Sequence, residues 1–221
     1  MARNAHQPDP LPAQIVREYG PFDGVDKIAG VTYDGRHVWA ATGAQVLAFD
    51  PASGRVERSI ERAADAGTAF DGTYLYQIAE ARIDKIDPAT GEVLATIPAP
   101  GAGGDSGLAW AEGSLWVGQY RERKIHQIDP ASGAVLRTIE SNRFVTGVTW
   151  VDGELWHATW EGDESELRRI EPQSGAVLQR LAMPADTFVS GLESDGAELF
   201  YCGGGSSGRV RAVRRPKAKT G

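Results

Sequence analysis

One five-residue pattern recurs along the chain and limits what it can become. Asp-Pro-x-x-Gly stands at Asp50–Gly54, Asp87–Gly91 and Asp129–Gly133, and Glu171–Gly175 repeats it with Glu in place of Asp. In Lys124–Ile139, KIHQIDPASGAVLRTI, apolar and polar residues alternate on both sides of the pattern. Aspartate can accept from a backbone amide two residues on, proline presets φ, and the glycine supplies the positive φ that turns the chain back. Each copy therefore predicts two half-buried strands joined by a tight turn. Four copies predict a repeated all-β architecture rather than a sheet with helices.

Ahead of each hairpin lies a second one, beginning at Gly30, Gly67, Gly107, Gly147 and Gly191 and reading GVTYDGRHVWAA, GTAFDGTYLYQI, GLAWAEGSLWVG, GVTWVDGELWHA and GLESDGAELFYC. The spacings are 37, 40, 40 and 44 residues. Units of about 40 residues holding four short strands are blades of a β-propeller. The fifth unit stops after a third strand, Arg209–Val213, and lacks the outer one. An orphan strand, Gln14–Tyr19, precedes the first unit. Pairing the two closes the ring and removes the exposed edges that terminal blades would otherwise present. The prediction is a five-bladed propeller of four-stranded antiparallel blades over residues 14–215, with a disordered arm at 1–13 and a flexible basic tail at 216–221.

Composition excludes several classes. A net charge of −7 argues against a nucleic-acid partner. No run of roughly 18 apolar residues is present to span a membrane, and the N-terminal segment has no apolar secretion signal. A single cysteine, Cys202, forms no internal disulfide and suits a reducing compartment. The expectation is a cytoplasmic monomer without membrane or nucleic-acid partners. The basic run from Arg209 to Lys219 reads as a solvated, frayed end. The acidic stretch Glu161–Glu166 reads as a solvated hairpin tip, since its ligand order matches no EF-hand. No cofactor is expected, and the ligand spacing supports no divalent metal.

Residues that keep step with the repeat serve the core. Tyr33, Phe70, Trp110 and Trp150 share a position in the first strand. Trp39, Tyr76, Trp116, Trp156 and Phe200 share one in the second. Recurring rings predict packing between blades. Residues that break step are the candidates for function. Glu193 stands where sister units have Thr32, Ala69, Ala109 and Thr149. An inner-strand carboxylate must pair with a cation, for which Lys27 and Arg143 are nearest in the pattern, or face water. His157 occupies a variable register three residues before Trp160. The loops of one face carry Asp65, Asp105, Arg143, Phe144, Asp186 and Phe188, joined by Glu80, Tyr120 and Arg121, and so predict a small-molecule mouth with aromatic walls.

At these residues the chain resembles the plant-type and bacterial glutaminyl cyclases (glutamine cyclotransferases), which are five-bladed propellers. Ile28–Tyr33 is similar to that family's Phe-Thr-Gln-Gly-Leu-Glu-Tyr segment. Leu75–Ile78 is similar to its Leu-Tyr-Gln-Leu-Thr-Trp, and Val151–Trp160 to its Val-Asp-Gly-Glu-Ile-Tyr-Ala-Asn-Val-Trp. The resemblance runs from Gln14 to about Val213. It implies functional groups directly before the leading glycines, but those positions hold Ala29, Ala66, Ser106, Thr146 and Ser190, and Glu80 replaces the blade-two tryptophan. Trp160 alone is retained from the pocket wall. The resemblance therefore implies the fold, with cyclase activity absent or vestigial. The repeats also resemble those of streptogramin (virginiamycin B) lyases, metal-dependent enzymes that use histidine and glutamate, which draws attention to His126 and His157.

Three readings follow. The first, preferred here, is an enzyme of transferase- or lyase-like chemistry acting on a small molecule. Its acid/base candidates are Glu193 and His157, and Trp160, Arg143, Tyr120, Phe144, Phe188, Glu80 and Asp105 bind the substrate. The alternatives are a non-catalytic ligand-binding propeller and a protein-interaction ring.

Overall fold

A computed structural model describes residues 7–217 as five antiparallel sheets, four strands each, with one short strand added to the fourth. Blade one runs outward from the axis as Gly30–Tyr33, Val38–Ala41, Val46–Phe49 and Val56–Ile60. Blade three runs as Asp105–Ala111, Ser114–Gln119, Lys124–Ile128 and Val135–Glu140, and blade four as Val145–Val151, Glu154–Glu161, Glu164–Ile170 and Val177–Ala182. No helix of the described residues is long and apolar enough to cross a membrane.

The repeated hairpin works as its residues dictate. Asp50 accepts from the Ala52 and Ser53 amides, and Asp87, Asp129 and Glu171 do the same two and three residues on. The glycine that follows lies at φ +77°, +77°, +75° and +73° in the four copies.

The ring closes through the N-terminal strand. Ile15–Tyr19 pairs antiparallel with Val210–Arg214 as the outer strand of blade five, Ile15 opposite Val213 and Tyr19 opposite Val210. Upstream, the structure departs from the expected disordered arm. Leu11–Pro12 pairs parallel with Leu181 and Ala182 on the outer edge of blade four, and the Ala13 amide donates to Ala182. The same short segment thus straps blade four to blade five. Residues 1–6 and 218–221 of the expected arm and tail lie outside the described residues.

Two surface expectations are corrected. The basic run is not a solvated end: Arg211 is buried and pairs with Glu18 at 2.7 Å, Arg214 pairs with Glu198 at 3.4 Å, and Arg215 pairs with Asp152. Lys219 lies outside the described residues. The acidic hairpin is not merely solvated either. Glu161 pairs with Arg123 and Arg143, Glu164 with Arg143, and the buried Glu166 with Arg143, Arg168 and Arg180. Glu166 can be buried because guanidinium groups surround it, and their hydrogen bonds hold its carboxyl below the usual range against the opposing cost of burial.

Blades pack through the recurring rings. Tyr76 stacks on Trp110 of the next blade at 5.5 Å, Trp116 on Trp150 at 5.3 Å, and Trp156 meets Phe200 at 4.9 Å. Around the axis the five leading glycines bring backbone against backbone. A Cβ on Gly30 would stand 2.8 Å from the Gly67 Cα, one on Gly107 2.8 Å from that of Gly147, and one on Gly191 2.7 Å from that of Gly30. Side chains are excluded at this level, so the glycines form a waist between the two ends of the channel.

Candidate functional site

On one side of the waist the residues preceding the glycines open into a cavity of about 460 Å³. Its floor is Ala29, Ala66, Ser106, Thr146 and Ser190, one from each inner strand or its entry. Two of the hydroxyls are committed to the framework. Ser106 Oγ donates to the Val145 carbonyl at 2.7 Å with the Gly118 carbonyl as the alternative acceptor at 3.0 Å, and Ser190 Oγ donates to Ile28 while accepting from the Gly205 amide. Thr146 differs: it is 5% exposed and its Oγ1 has no hydrogen-bond partner.

The walls differ from one another. On the side of blades three to five, aromatic rings form an arc: Tyr120 to Trp160 at 6.5 Å between centroids, then Trp160 to Phe188 at 4.7 Å. Phe144 backs this arc, 4.7 Å from Tyr120, and carries the Arg123 guanidinium on its other flank at 4.6 Å. Trp160 is fixed by its Nε1–H, which donates to the Gly162 carbonyl at 2.8 Å, and the residue stays 37% exposed. The remaining wall is polar, with Lys27, Asp65, Asp105 and Ser206.

Asp105 is the distinctive member. It is 8% exposed; its Oδ2 accepts from the Gly101 amide at 2.9 Å, and its Oδ1 is buried on the side of the Gln119 amide. Burial raises its carboxyl above the ordinary aspartate value, against the partial opposition of the Gly101 amide and the Gln119 side chain. Among the described residues no cation stands within ion-pair distance of it, so the buried charge is only partly compensated.

The sequence-predicted site divides. Trp160, Tyr120, Phe188 and Asp105 come together at the mouth, with Phe144 behind them. Glu80 does not join: it sits at φ 55° on an exposed turn and pairs with Arg82 at 3.3 Å. Arg143 is drawn into the acidic hairpin instead, 3.2 Å from Glu161 and 3.1 Å from Glu164. His157 is 1% exposed inside blade four, where burial and the neighbouring Arg168 lower its pKa to about 4.

Glu193 stands on the far side of the glycine waist, because it follows Gly191 on the strand whereas the mouth residues precede it. Neither cation weighed for it, Lys27 or Arg143, forms an ion pair with it. Its carboxylate instead accepts from Thr32 at 2.8 Å, from Thr149, and from the Ser194 amide, so blades one and four both donate to a residue of blade five. Burial in the channel raises its pKa to about 7, against those hydrogen bonds. Of the other residues weighed, His126 bonds Thr138 at 2.8 Å, and Cys202 is buried with its thiol pushed up to about 12. Among the described residues no group of three or more His, Cys, Asp and Glu side chains is placed to hold a metal.

Sequence reasoning passed over Lys27, Thr146 and Ser206 as lining residues. Thr146 was legible by position, directly before a leading glycine, but its small size read as inert. Ser206 lies in a glycine-serine loop whose course only the closed ring determines.

Comparison with known proteins agrees with the resemblance read from the residues. A family model described as glutamine cyclotransferase matches residues 139–203, from the end of blade three into blade five. No curated protein matches the chain. Among solved structures, a glutaminyl cyclase from Myxococcus xanthus superposes with a TM-score of 0.76 at 17% identity, covering 93% of this chain and 98% of that one. A chain of a mitotic checkpoint complex gives 0.58 at 14% identity, covering 97% and 96%, and one of Kuenenia stuttgartiensis hydrazine synthase gives 0.52 at 16%, covering 89% and 60%. At such identities the likeness concerns architecture: this chain is a five-bladed β-propeller similar in fold to a glutaminyl cyclase.

Proposed function

We propose that the central mouth binds a small molecule bearing a protonated amine beside an apolar body, and that the protein does not cyclise glutaminyl substrates. The observation that carries this reading is a carboxylate without a cation partner, Asp105, lining the same cavity as an arc of three aromatic rings. An ammonium group satisfies both: it donates to the carboxylate and is attracted to the ring faces. The small residues at Ala29, Ala66, Ser106, Thr146 and Ser190 support the second half, since none can exchange a proton near neutrality. The distance along the strands between Glu193 and the mouth, and the burial of His157, favour a binding site over an enzyme built on those two groups.

A titration with 2-phenylethylamine, followed by Trp160 emission with Trp160→Phe as the control, tests the reading. Saturable binding is expected, with affinity falling at least about tenfold in Asp105→Asn, the scale of one charge-assisted hydrogen bond. Binding is also expected to weaken as pH falls and Asp105 takes up its proton. Unchanged affinity in Asp105→Asn, or none in the wild type, overturns it. Ammonia release from a glutamine-initiated peptide checks the negative half, and saturable turnover would restore the cyclase reading.

A further inference from the structure

Beside the mouth lies a second cavity of about 710 Å³, bounded by Pro100–Asp105 and Gln119–Glu122 with Lys124. Asp105 and Tyr120 line both cavities, so the two compartments meet at the pair. Between Pro100 and Asp105 the loop is Gly101-Ala102-Gly103-Gly104, which offers backbone and a single methyl group. Ala102 is held at φ 47°, and the Gly104 amide donates back to Gly101. The charges of this compartment are uneven. Glu122 is paired with Lys124 at 3.9 Å, and Asp105 is turned toward the Gly101 amide. Arg121 lines the cavity, is exposed, and has no carboxylate within ion-pair distance among the described residues.

We propose that this compartment is an anion subsite continuous with the mouth, so that the preferred ligand carries an acidic group at the end opposite its amine. The inference rests on the mouth reading above and extends it. The amine end meets Asp105 and the aromatic arc. The body crosses Tyr120, and the acidic end reaches the Arg121 guanidinium, whose planar fork suits a carboxylate or phosphate. Asp105 and Glu122 line this space too, and Lys124 is paired with Glu122, so Arg121 is the cation left to meet an anion, which sets the polarity of the ligand.

Two probes separate the claims: 2-phenylethylamine and 4-(2-aminoethyl)benzoate, which adds a carboxylate at the far end of the same ring. Binding of both is measured by isothermal titration to the full chain and to Arg121→Ala, Arg121→Lys and Lys27→Ala. The expected result is a gain of about tenfold for the carboxylated probe, removed in Arg121→Ala, partly kept in Arg121→Lys and kept in Lys27→Ala. Arg121 is exposed, so its replacement leaves the fold intact. Equal affinity of the two probes overturns the subsite and leaves the mouth reading standing. A gain lost in Lys27→Ala but kept in Arg121→Ala overturns it by moving the anion to the other wall. Failure of both probes to bind overturns the mouth reading and the subsite with it.

Discussion

Glu193 and His157 titrate in opposite senses, and the pH dependence of stability should show both. The Glu193 pKa is raised from 4.5 to about 7, so the folded state favours the protonated carboxyl. Its contribution is complete below about pH 4.5 and is lost as pH rises through 7. The His157 pKa is lowered from 6.5 to about 4, so the folded state favours the neutral ring, and that contribution is lost as pH falls from 6.5 toward 4. Between pH 4.5 and 6.5 the two slopes offset each other. Glutamine mimics protonated glutamate, so Glu193→Gln should match the wild type in melting temperature near pH 4 and exceed it by several degrees at pH 8. Thermal melts across that range check this. A variant less stable than the wild type at pH 8 would assign the ionised carboxylate a stabilising role. The ligand side has its own residue-scale expectation: Asp105→Asn should lose amine affinity while melting no lower than the wild type, since it removes a buried charge with no cation partner among the described residues.

Within a blade, the inner strand is the element with least tolerance. A Cβ on Gly147 would stand 2.6 Å from the Leu192 amide nitrogen and 2.7 Å from the Gly191 carbonyl carbon, both backbone atoms of the next blade. Neither can swing away as a side-chain tip would. Gly147→Ala should therefore cost roughly 3 kcal/mol, the scale of an overpacked core. Gly153→Ala, at φ +74° with open space around it, should cost only about 1 kcal/mol of backbone strain. Chemical denaturation of both variants ranks them, and equal costs would mean that the waist can relax. The hairpin pattern that announces each blade belongs to this scale too, because an aspartate, a proline and a glycine build their turn with little help from outside it.

At the scale of the molecule, stability depends on closing the ring, and the N-terminal segment does this in two stages. Removing residues 1–14 takes away the Leu11–Pro12 strap on blade four but leaves the closing strand in blade five. Removing 1–19 also strips the Ile15–Tyr19 strand, its Glu18–Arg211 ion pair and the buried Tyr19 ring. The first truncation should lower the melting temperature by a few degrees and keep a single transition. The second should lower it far more and broaden it, because the opened blade exposes a strand edge and apolar core. Similar melts for the two truncations would mean that the strap, not the closing strand, holds the ring.

The repeats by themselves determine the architecture. Turn chemistry and strand alternation are local, and copies of Asp-Pro-x-x-Gly and of the leading glycine leave a blade count that can be read from spacing alone. The closing strand was legible for the same reason, since the gap in blade five has the shape of the orphan at Gln14–Tyr19. The aromatic wall was also within reach, because Trp160, Tyr120 and Phe188 fall in loops that propeller topology gathers on one face. What the tertiary structure decided was depth along the channel and choice of partner. Glu193 breaks its register conspicuously, yet the glycine waist separates it from the mouth, and no residue count reveals where five backbones meet. In the chain Arg143 reads as a substrate-binding group and Glu161–Glu166 as a solvated tip, but side chains of blades three and four are brought together and neutralise one another. Topology places Asp105 at the mouth, but only the tertiary structure buries it under the Gly101 turn. Burial and pairing are set by residues distant in sequence, which is why the fold could be read from the chain and the site only in part.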